Sequence, residues 1–278
     1  MRDFLLLTKF RLTFLVLLTT AAGYYLGSEG RLDVVNFLWT ILGTALLAAG
    51  ASALNQVWEV EEDALMTRTK ERPLPAGRRS PLWGQAWGVV MSCLGLGILA
   101  WEVNLLTALL GGVALGVYVF GYTPLKKRTE LNTLVGGIPG AIPPVMGWTG
   151  AGKDFGWEAG VLFAVLFFWQ MPHFLAIAWW CREDYLKAGF KMIGGEGDAK
   201  RVGRLAMMYA AALWPVSLLW SLGGKLSMWS TGLTFLLGGW LVWEAAQFWK
   251  KAEGARRLFF ASIVYLPLIL AVWCLGKR

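Results

Sequence analysis

The sequence predicts an all-α, polytopic membrane protein with nine transmembrane helices. Three observations predict it. Apolar residues make up 56% of the 278 residues and recur in runs long enough to cross a bilayer. Charged residues make up only 16% and gather between those runs. Lys and Arg are shared unevenly among the connections, as the positive-inside rule requires. So apolar a chain leaves no room for a separate soluble domain, and residues 1–278 read as one transmembrane domain. A net charge of +8 would suit nucleic acid in a soluble protein; here basic cytoplasmic loops account for it.

The nine spans fall at 10–27, 34–57, 82–100, 105–122, 132–150, 157–180, 204–222, 228–249 and 257–275. Each is long enough for a hydrocarbon core of about 30 Å at about 1.5 Å per residue. The first run lacks a small-residue cleavage site, so it reads as a span rather than a signal peptide. On one side of the membrane lie only five of the 26 Lys/Arg: Arg31, Lys153, Lys225, Lys277 and Arg278. That asymmetry places the N-terminus and the connections after spans 2, 4, 6 and 8 in the cytoplasm, and the expected location is the cell's inner membrane. Cys93, Cys181 and Cys274 are scattered, with neither a disulfide framework nor metal-ligand spacing.

The connections after spans 2 and 6 are the longest and the most charged. The first, Asn55 to Pro75, reads NQVWEVEEDALMTRTKERPLP. Asn55, Glu59 and Asp63 stand at i, i+4 and i+8, so a regular helix puts them on one face; Glu62, at i+7, joins them. Glu61 points away and joins only where the helix unwinds. A carboxylate deep in a bilayer costs about 2.5–3.5 kcal/mol, relieved at a helix end. Arg68, Lys70 and Arg72 follow the acids, and Lys126, Lys127 and Arg128 follow span 4. Hard oxygens beside cations suit a divalent ion with a polyanion, the ion keeping phosphate oxygens and waters, the Arg side chains gripping phosphate bidentately. The plainer alternatives are a helix end dipping into water and ordinary positive-inside charge.

Span 5 carries GGIPGAIPPVMGW, with Pro139, Pro143 and Pro144 among glycines. Proline removes amide donors and glycine permits close approach. Such a span either lines a cavity that satisfies a broken backbone or packs as a kinked helix. His173, the only histidine, lies inside span 6 next to Pro172. Gln170, His173, Ile177, Cys181 and Asp184 fall near one helical face, with His173 and Asp184 roughly 16 Å apart along the axis. A lone buried histidine is commonly structural; an intramembrane one is also a candidate for iron ligation or acid–base work. The 17 Trp read as interfacial belt and packing residues.

Three blocks carry a family resemblance: NQVWEVEEDALMTRTKERPLPAG (55–77), YTPLKKRTELNTLVGGIPGAIPPVMGW (122–148) and FWQMPHFLAIAWWCREDYLKAG (168–189). In this order they resemble the UbiA-type intramembrane prenyltransferase superfamily, and within it the haem-farnesylating branch. Lys9-Phe10-Arg11 is similar to a Lys-Pro-Arg that the family shows before its first span. The resemblance implies nine helices around a central cavity open to lipid, farnesyl diphosphate and protohaem as substrates, magnesium (Mg2+) as the ion and haem O as product. It implies catalytic roles for Asn55, Glu59, Asp63 and Asp184, and metal binding by Asn55, Glu59, Glu61 and Asp63. It implies diphosphate binding by Arg68, Lys70, Arg72, Lys126, Lys127 and Arg128, and haem contact by His173 and Gln170. Haem A synthase is the implied partner for handover, beside the lipid bilayer itself. The second aspartate-rich motif of most superfamily members is replaced here by His173 and Asp184, which favours the haem branch. The chain departs from the family after Gly189, reading FKMIGGEGDAKRVGR where Pro-Met-Leu-Pro is usual.

Rival functions are a prenyltransferase with a quinone- or chlorophyll-type acceptor, a transporter, and a non-catalytic haem carrier. The WQxPH segment and the missing second aspartate cluster argue against the first. The crowding of acids at one membrane edge, away from the midplane where transport sites lie, argues against the second. Magnesium-dependent release of diphosphate separates the third.

Overall fold

The computed structural model describes residues 2–28, 30–194 and 197–278. Its helices, in chain order, are α1 (Arg2–Leu7), α2 (Phe10–Gly27), α3 (Val34–Trp58), α4 (Val60–Leu65), α5 (Pro81–Ile98), α6 (Leu105–Gly116), α7 (Thr123–Leu125), α8 (Asn132–Gly150), α9 (Trp157–Trp180), α10 (Arg182–Lys187), α11 (Ala199–Leu222), α12 (Met228–Lys250) and α13 (Gly254–Gly276). A π-helical turn extends α5 over Leu99–Val103, and another follows α6 over Val117–Tyr122. The expected spans overlap these helices, the fourth falling on the shorter α6 with its π turn. Among the described residues, seven helices are both long and apolar enough to cross a membrane. The two that fall short, α8 and α12, are diluted respectively by proline and glycine and by polar residues such as Glu244 and Gln247.

Helix ends follow local chemistry. Asp33, Ser80 and Asn104 cap α3, α5 and α6 through side-chain oxygens that accept from Asn36, Trp83 and Thr107 amides at 3.0, 3.2 and 2.8 Å. Pro81 stands in the first turn of α5, where its missing N–H has no helical partner to lose. Large apolar side chains point outward along α5 (Val89, Val90, Leu94), α6 (Leu109, Val113), α12 (Phe235, Leu236) and α13 (Val264, Leu268). Apolar faces of this extent are tolerated where lipid is the solvent.

The chain forms two compact units. One holds residues 1–153 with 183–191, the other 154–182 with 192–278. In the first, α3 lies on α5 and α2 on α8. Both contacts depend on small residues. A Cβ at Gly95 of α5 would stand 2.7 Å from the Gly43 carbonyl oxygen and the Leu47 nitrogen of α3. A Cβ at Gly147 of α8 would collide with the Thr20 carbonyl of α2, and one at Gly23 of α2 with the Pro144 carbonyl. Lipid offers no hydrophobic drive between spans, so close backbone approach supplies the packing energy. In the second unit α11 packs on α9 and α12, and α13 on α9 and α12. Trp220 and Trp273 stack there at 5.4 Å, and the Trp273 indole donates to Thr234 at 3.1 Å.

Two expectations change. Span 5 is not broken: α8 runs unbroken through Pro139, Pro143 and Pro144, and most of its residues are buried. Its glycines serve close contacts, Gly147 with α2, Gly136 with the Tyr122 ring and Gly150 with Thr40 of α3, which is the packing reading. One helix does not carry both His173 and Asp184. α9 ends at Trp180, and Cys181 (φ −103°, ψ 20°) leaves helical geometry before α10 begins. Gly195 and Glu196, inside the divergent segment after Gly189, lie outside the described residues.

Gly147→Ala should lower the thermal unfolding midpoint in detergent, by a stability loss of about 1–3 kcal/mol from overpacking. Gly160→Ala, whose added methyl meets nothing within 4 Å, should not lower it. Tryptophan fluorescence during heating separates the two.

Candidate active site

The site is built at the end of α3. Asn55 lies in the last turn of α3, and Glu59 interrupts the helix at φ −109°, ψ 19° before α4 begins. Asn55, Glu59, Glu62 and Asp63 are buried together while Glu61 turns out to solvent, which is the set a regular helix already faces inward. Bonds from the Glu59 N–H to the Asn55 carbonyl (3.1 Å) and from the Asp63 N–H to the Glu59 carbonyl (2.8 Å) span the interruption, so it does not bring Glu61 in.

Each of these buried side chains faces a different cation. Lys126 Nζ lies 2.6 Å from Glu59 Oε1, and Arg72 Nη1 lies 2.6 Å from Asp63 Oδ2. Lys127 pairs with Glu62. Lys9 Nζ donates to Asn55 Oδ1 at 2.5 Å, and the Asn55 amide donates to Thr123 Oγ1 at 3.1 Å. The π turn at Val117–Tyr122 stacks Tyr118 on Tyr122 at 5.6 Å. Tyr118 thereby offers its hydroxyl to Lys9 at 3.5 Å, and Lys126 sits over the Tyr122 ring at 4.5 Å. π turns concentrate at functional sites for this reason: they re-aim side chains that a regular helix would splay.

The charges set one another's protonation. Burial of Lys126 disfavours its charge, yet Tyr122 and Glu59 outweigh that and raise its pKa above the ordinary lysine value. Lys127 is raised by its hydrogen bond to Glu62. Lys9 goes the other way: burial first, then the nearby charge of Arg72, lowers it to about 7. Lys9 is also the only non-glycine described residue with positive φ (47°), at the corner between α1 and α2. Strain of this kind is held where surrounding contacts over-determine it. In the sequence Lys9 stands out only as part of Lys9-Phe10-Arg11; the fold gives it Asn55 as a partner.

The remaining candidates are placed as follows. Asp184 Oδ1 accepts from the Thr67 amide at 3.4 Å, and Arg68 reaches the Tyr185 hydroxyl at 3.4 Å. Lys191 N–H donates to the Lys126 carbonyl at 2.7 Å, and Asn132 donates to the Lys191 carbonyl at 2.7 Å. These bonds join Glu183–Lys191 to the acidic stretch and to the basic run after α7. Lys70 and Arg128 are exposed. His173 and Gln170 belong to the other unit: Gln170 is buried and donates to the Leu166 carbonyl at 2.9 Å, and His173 pairs with Ser262.

A divalent cation is the group these residues must be tested against. Glu62 Oε2 and Asp63 Oδ1 are buried oxygens without a hydrogen-bond partner. Such anionic oxygens fit a hard cation. Among the described residues no three His, Cys, Asp or Glu side chains converge as a ready-made cage. Magnesium is ordinarily held by one or two carboxylates completed by substrate phosphates, so the donor set fits that ion. A separate cleft of about 430 Å³ lies between Arg2, Arg78, Arg79, Glu71 and Trp83. Arg78 and Arg79 are engaged there with Asp3, and the cleft is not where the buried acids gather.

The profile of the UbiA prenyltransferase family matches residues 16–271. The chain belongs to that family, and is thus a prenyltransferase and an integral, multi-pass membrane protein. It is 40% identical to the Protoheme IX farnesyltransferase of Solibacter usitatus, over 100% of this chain and 99% of that one. Its fold matches a solved digeranylgeranylglyceryl phosphate synthase with a TM-score of 0.83 at 15% identity, covering 99% of this chain and 97% of the other. It also matches a UbiA homolog from Archaeoglobus fulgidus solved bound to GPP and Mg2+, with a TM-score of 0.73 at 16% identity and coverage of 97% and 99%.

Lys126→Met should destabilise the protein by about 3–5 kcal/mol, because it strands a buried carboxylate. Adding Glu59→Gln should recover most of the loss. Equal unfolding midpoints for the single and double variants would refute the coupling.

Proposed function

We propose that this protein transfers a farnesyl group from farnesyl diphosphate to a vinyl group of protohaem, giving haem O. The observation that carries the reading is full-length similarity to proteins named Protoheme IX farnesyltransferase, over a chain that buries alternating acids and cations at one helix end. In this reading residues 1–278 act as one catalytic domain in the inner membrane. The N-terminus and the stretch after α3 face the cytoplasm, as the Lys/Arg asymmetry directs. Haem A synthase is the proposed recipient of the product.

Magnesium is the proposed ion, held by Asp63 and Glu62 with Asn55 and Glu59 beside them; Glu61, exposed, is left out. When bound, it supplies Lewis-acid neutralisation of the diphosphate. The chain's own groups do the rest. Arg72 and Lys126 each offer N–H donors to diphosphate oxygens in place of the carboxylate oxygens they now hold, and Lys9 adds a third donor. Arg68 and Lys127 stand further out, where they steer the polyanion inward. Concentrated positive charge stabilises the leaving group as the allylic C–O bond breaks, its electron pair departing with diphosphate. Apolar surroundings exclude water until the vinyl group supplies electrons for the new C–C bond. Water then adds at the resulting cationic carbon and loses a proton, which leaves the hydroxyl of the product.

Asp63→Ala should lower turnover by at least about 100-fold with the helical content unchanged. Product mass after incubation with protohaem and farnesyl diphosphate checks this, and full activity in that variant would remove Asp63 from the mechanism. Chelation of divalent ions should abolish product in the unaltered protein, and added magnesium should restore it.

A further inference from the structure

The single histidine has an environment built from two helices of one unit. His173 and Trp169 stand one turn apart on α9; Phe259 and Ser262 stand on α13. The imidazole is sandwiched between the Trp169 ring (5.4 Å, 21°) and the Phe259 ring (4.8 Å, 27°). Both faces are covered, so only the ring edges carry polar contact. On one edge, Nδ1 lies 2.9 Å from the Ser262 hydroxyl. That serine is fixed twice more. Its carbonyl accepts the Trp169 indole N–H at 2.8 Å, and its hydroxyl donates to the Phe259 carbonyl at 2.7 Å.

The proton count decides the tautomer. A hydroxyl has one proton, and a carbonyl only accepts. With that proton on the Phe259 carbonyl, the serine oxygen turns lone pairs toward Nδ1. Nδ1 must then carry the N–H, and a neutral imidazole has one N–H, so Nε2 carries the lone pair. The opposite assignment would set two bare oxygens 2.7 Å apart at Ser262 and Phe259.

We infer that Ser262 is a positioning residue that fixes His173 as the Nδ1–H tautomer and so presents Nε2 as a ligand to the iron of protohaem. The inference rests on the proposed haem substrate and deepens it. Metal-ligating histidines regularly donate their other ring N–H to an acceptor that sets tautomer and ring orientation. Toward α9 the hydroxyl meets the imidazole, and its other bond, to the Phe259 carbonyl, stays within α13.

Because the chain has one histidine, ¹⁵N-histidine labelling of the full protein reports this ring without ambiguity. The expected spectrum shows a protonated Nδ1 and an unprotonated Nε2; the reverse pattern would overturn the assignment. Added ferric protohaem should then broaden or shift the Nε2 resonance and give an imidazole-ligated absorption spectrum that His173→Ala lacks. A spectrum identical in His173→Ala would overturn iron ligation while leaving the tautomer measured. Ser262→Ala should weaken haem binding about 10–100-fold and lower the iron–imidazole stretching frequency, and Ser262→Thr should restore both. Wild-type affinity and frequency in Ser262→Ala would overturn the positioning role, and the labelled wild-type spectrum decides the tautomer even if that variant does not fold.

Discussion

A carboxylate at the end of an apolar helix is tolerable only beside a cation, and much of the first unit is arranged around that constraint. Glu59, Glu62 and Asp63 are nearly inaccessible to solvent, and each is met by a different base. Arg72 arrives from the loop after α4. Lys126 and Lys127 arrive from the end of α7. Lys9 arrives from the corner before α2 and takes Asn55. Four separated segments are thereby drawn to one place by charge, in a region where apolar packing against lipid would fix no position at all. Pairs of this kind add little net stability once desolvation is counted, but breaking one is expensive. Their worth is in register, and in keeping donors and acceptors together where a polyanion can exchange with the acids.

The small-residue contacts do complementary work. Gly23 and Gly147 let α2 and α8 approach at backbone distance, as Gly95 does for α5 on α3. α3 is thus held by α5 along its length, and the lysine corner before α2 is held through α8. The cluster at the end of α3 inherits its rigidity from contacts that carry no charge.

Most of the fold was legible in the sequence. Run length and hydropathy locate the long helices, seven of which among the described residues are long and apolar enough to cross a membrane, since lipid demands continuous helices of a set length. Asn55, Glu59 and Asp63 were also legible, because i, i+4 spacing survives burial. What was not legible followed from two local departures. Proline content suggested a broken span 5, yet prolines in a membrane helix are accommodated when neighbours pack closely, and α8 stays intact. Lys9 was hidden because it lies 46 residues from Asn55 in sequence. Only the turn between α1 and α2 brings them together. Tyr118 and Tyr122 were hidden because no composition signal marks a π turn.

The interruption at Glu59 leaves the angular order of the acids intact. Glu62 stands inward and Glu61 outward, as their spacing from Asn55 directs, and helical bonds at Glu59 and Asp63 run across the interruption. Moving an acid by one residue carries it roughly 100° around the axis. The stretch keeps that sensitivity: position 61 looks into solvent while position 62 meets Lys127. Two neighbouring glutamates of identical chemistry thus live in opposite environments, and the letter alone does not tell them apart.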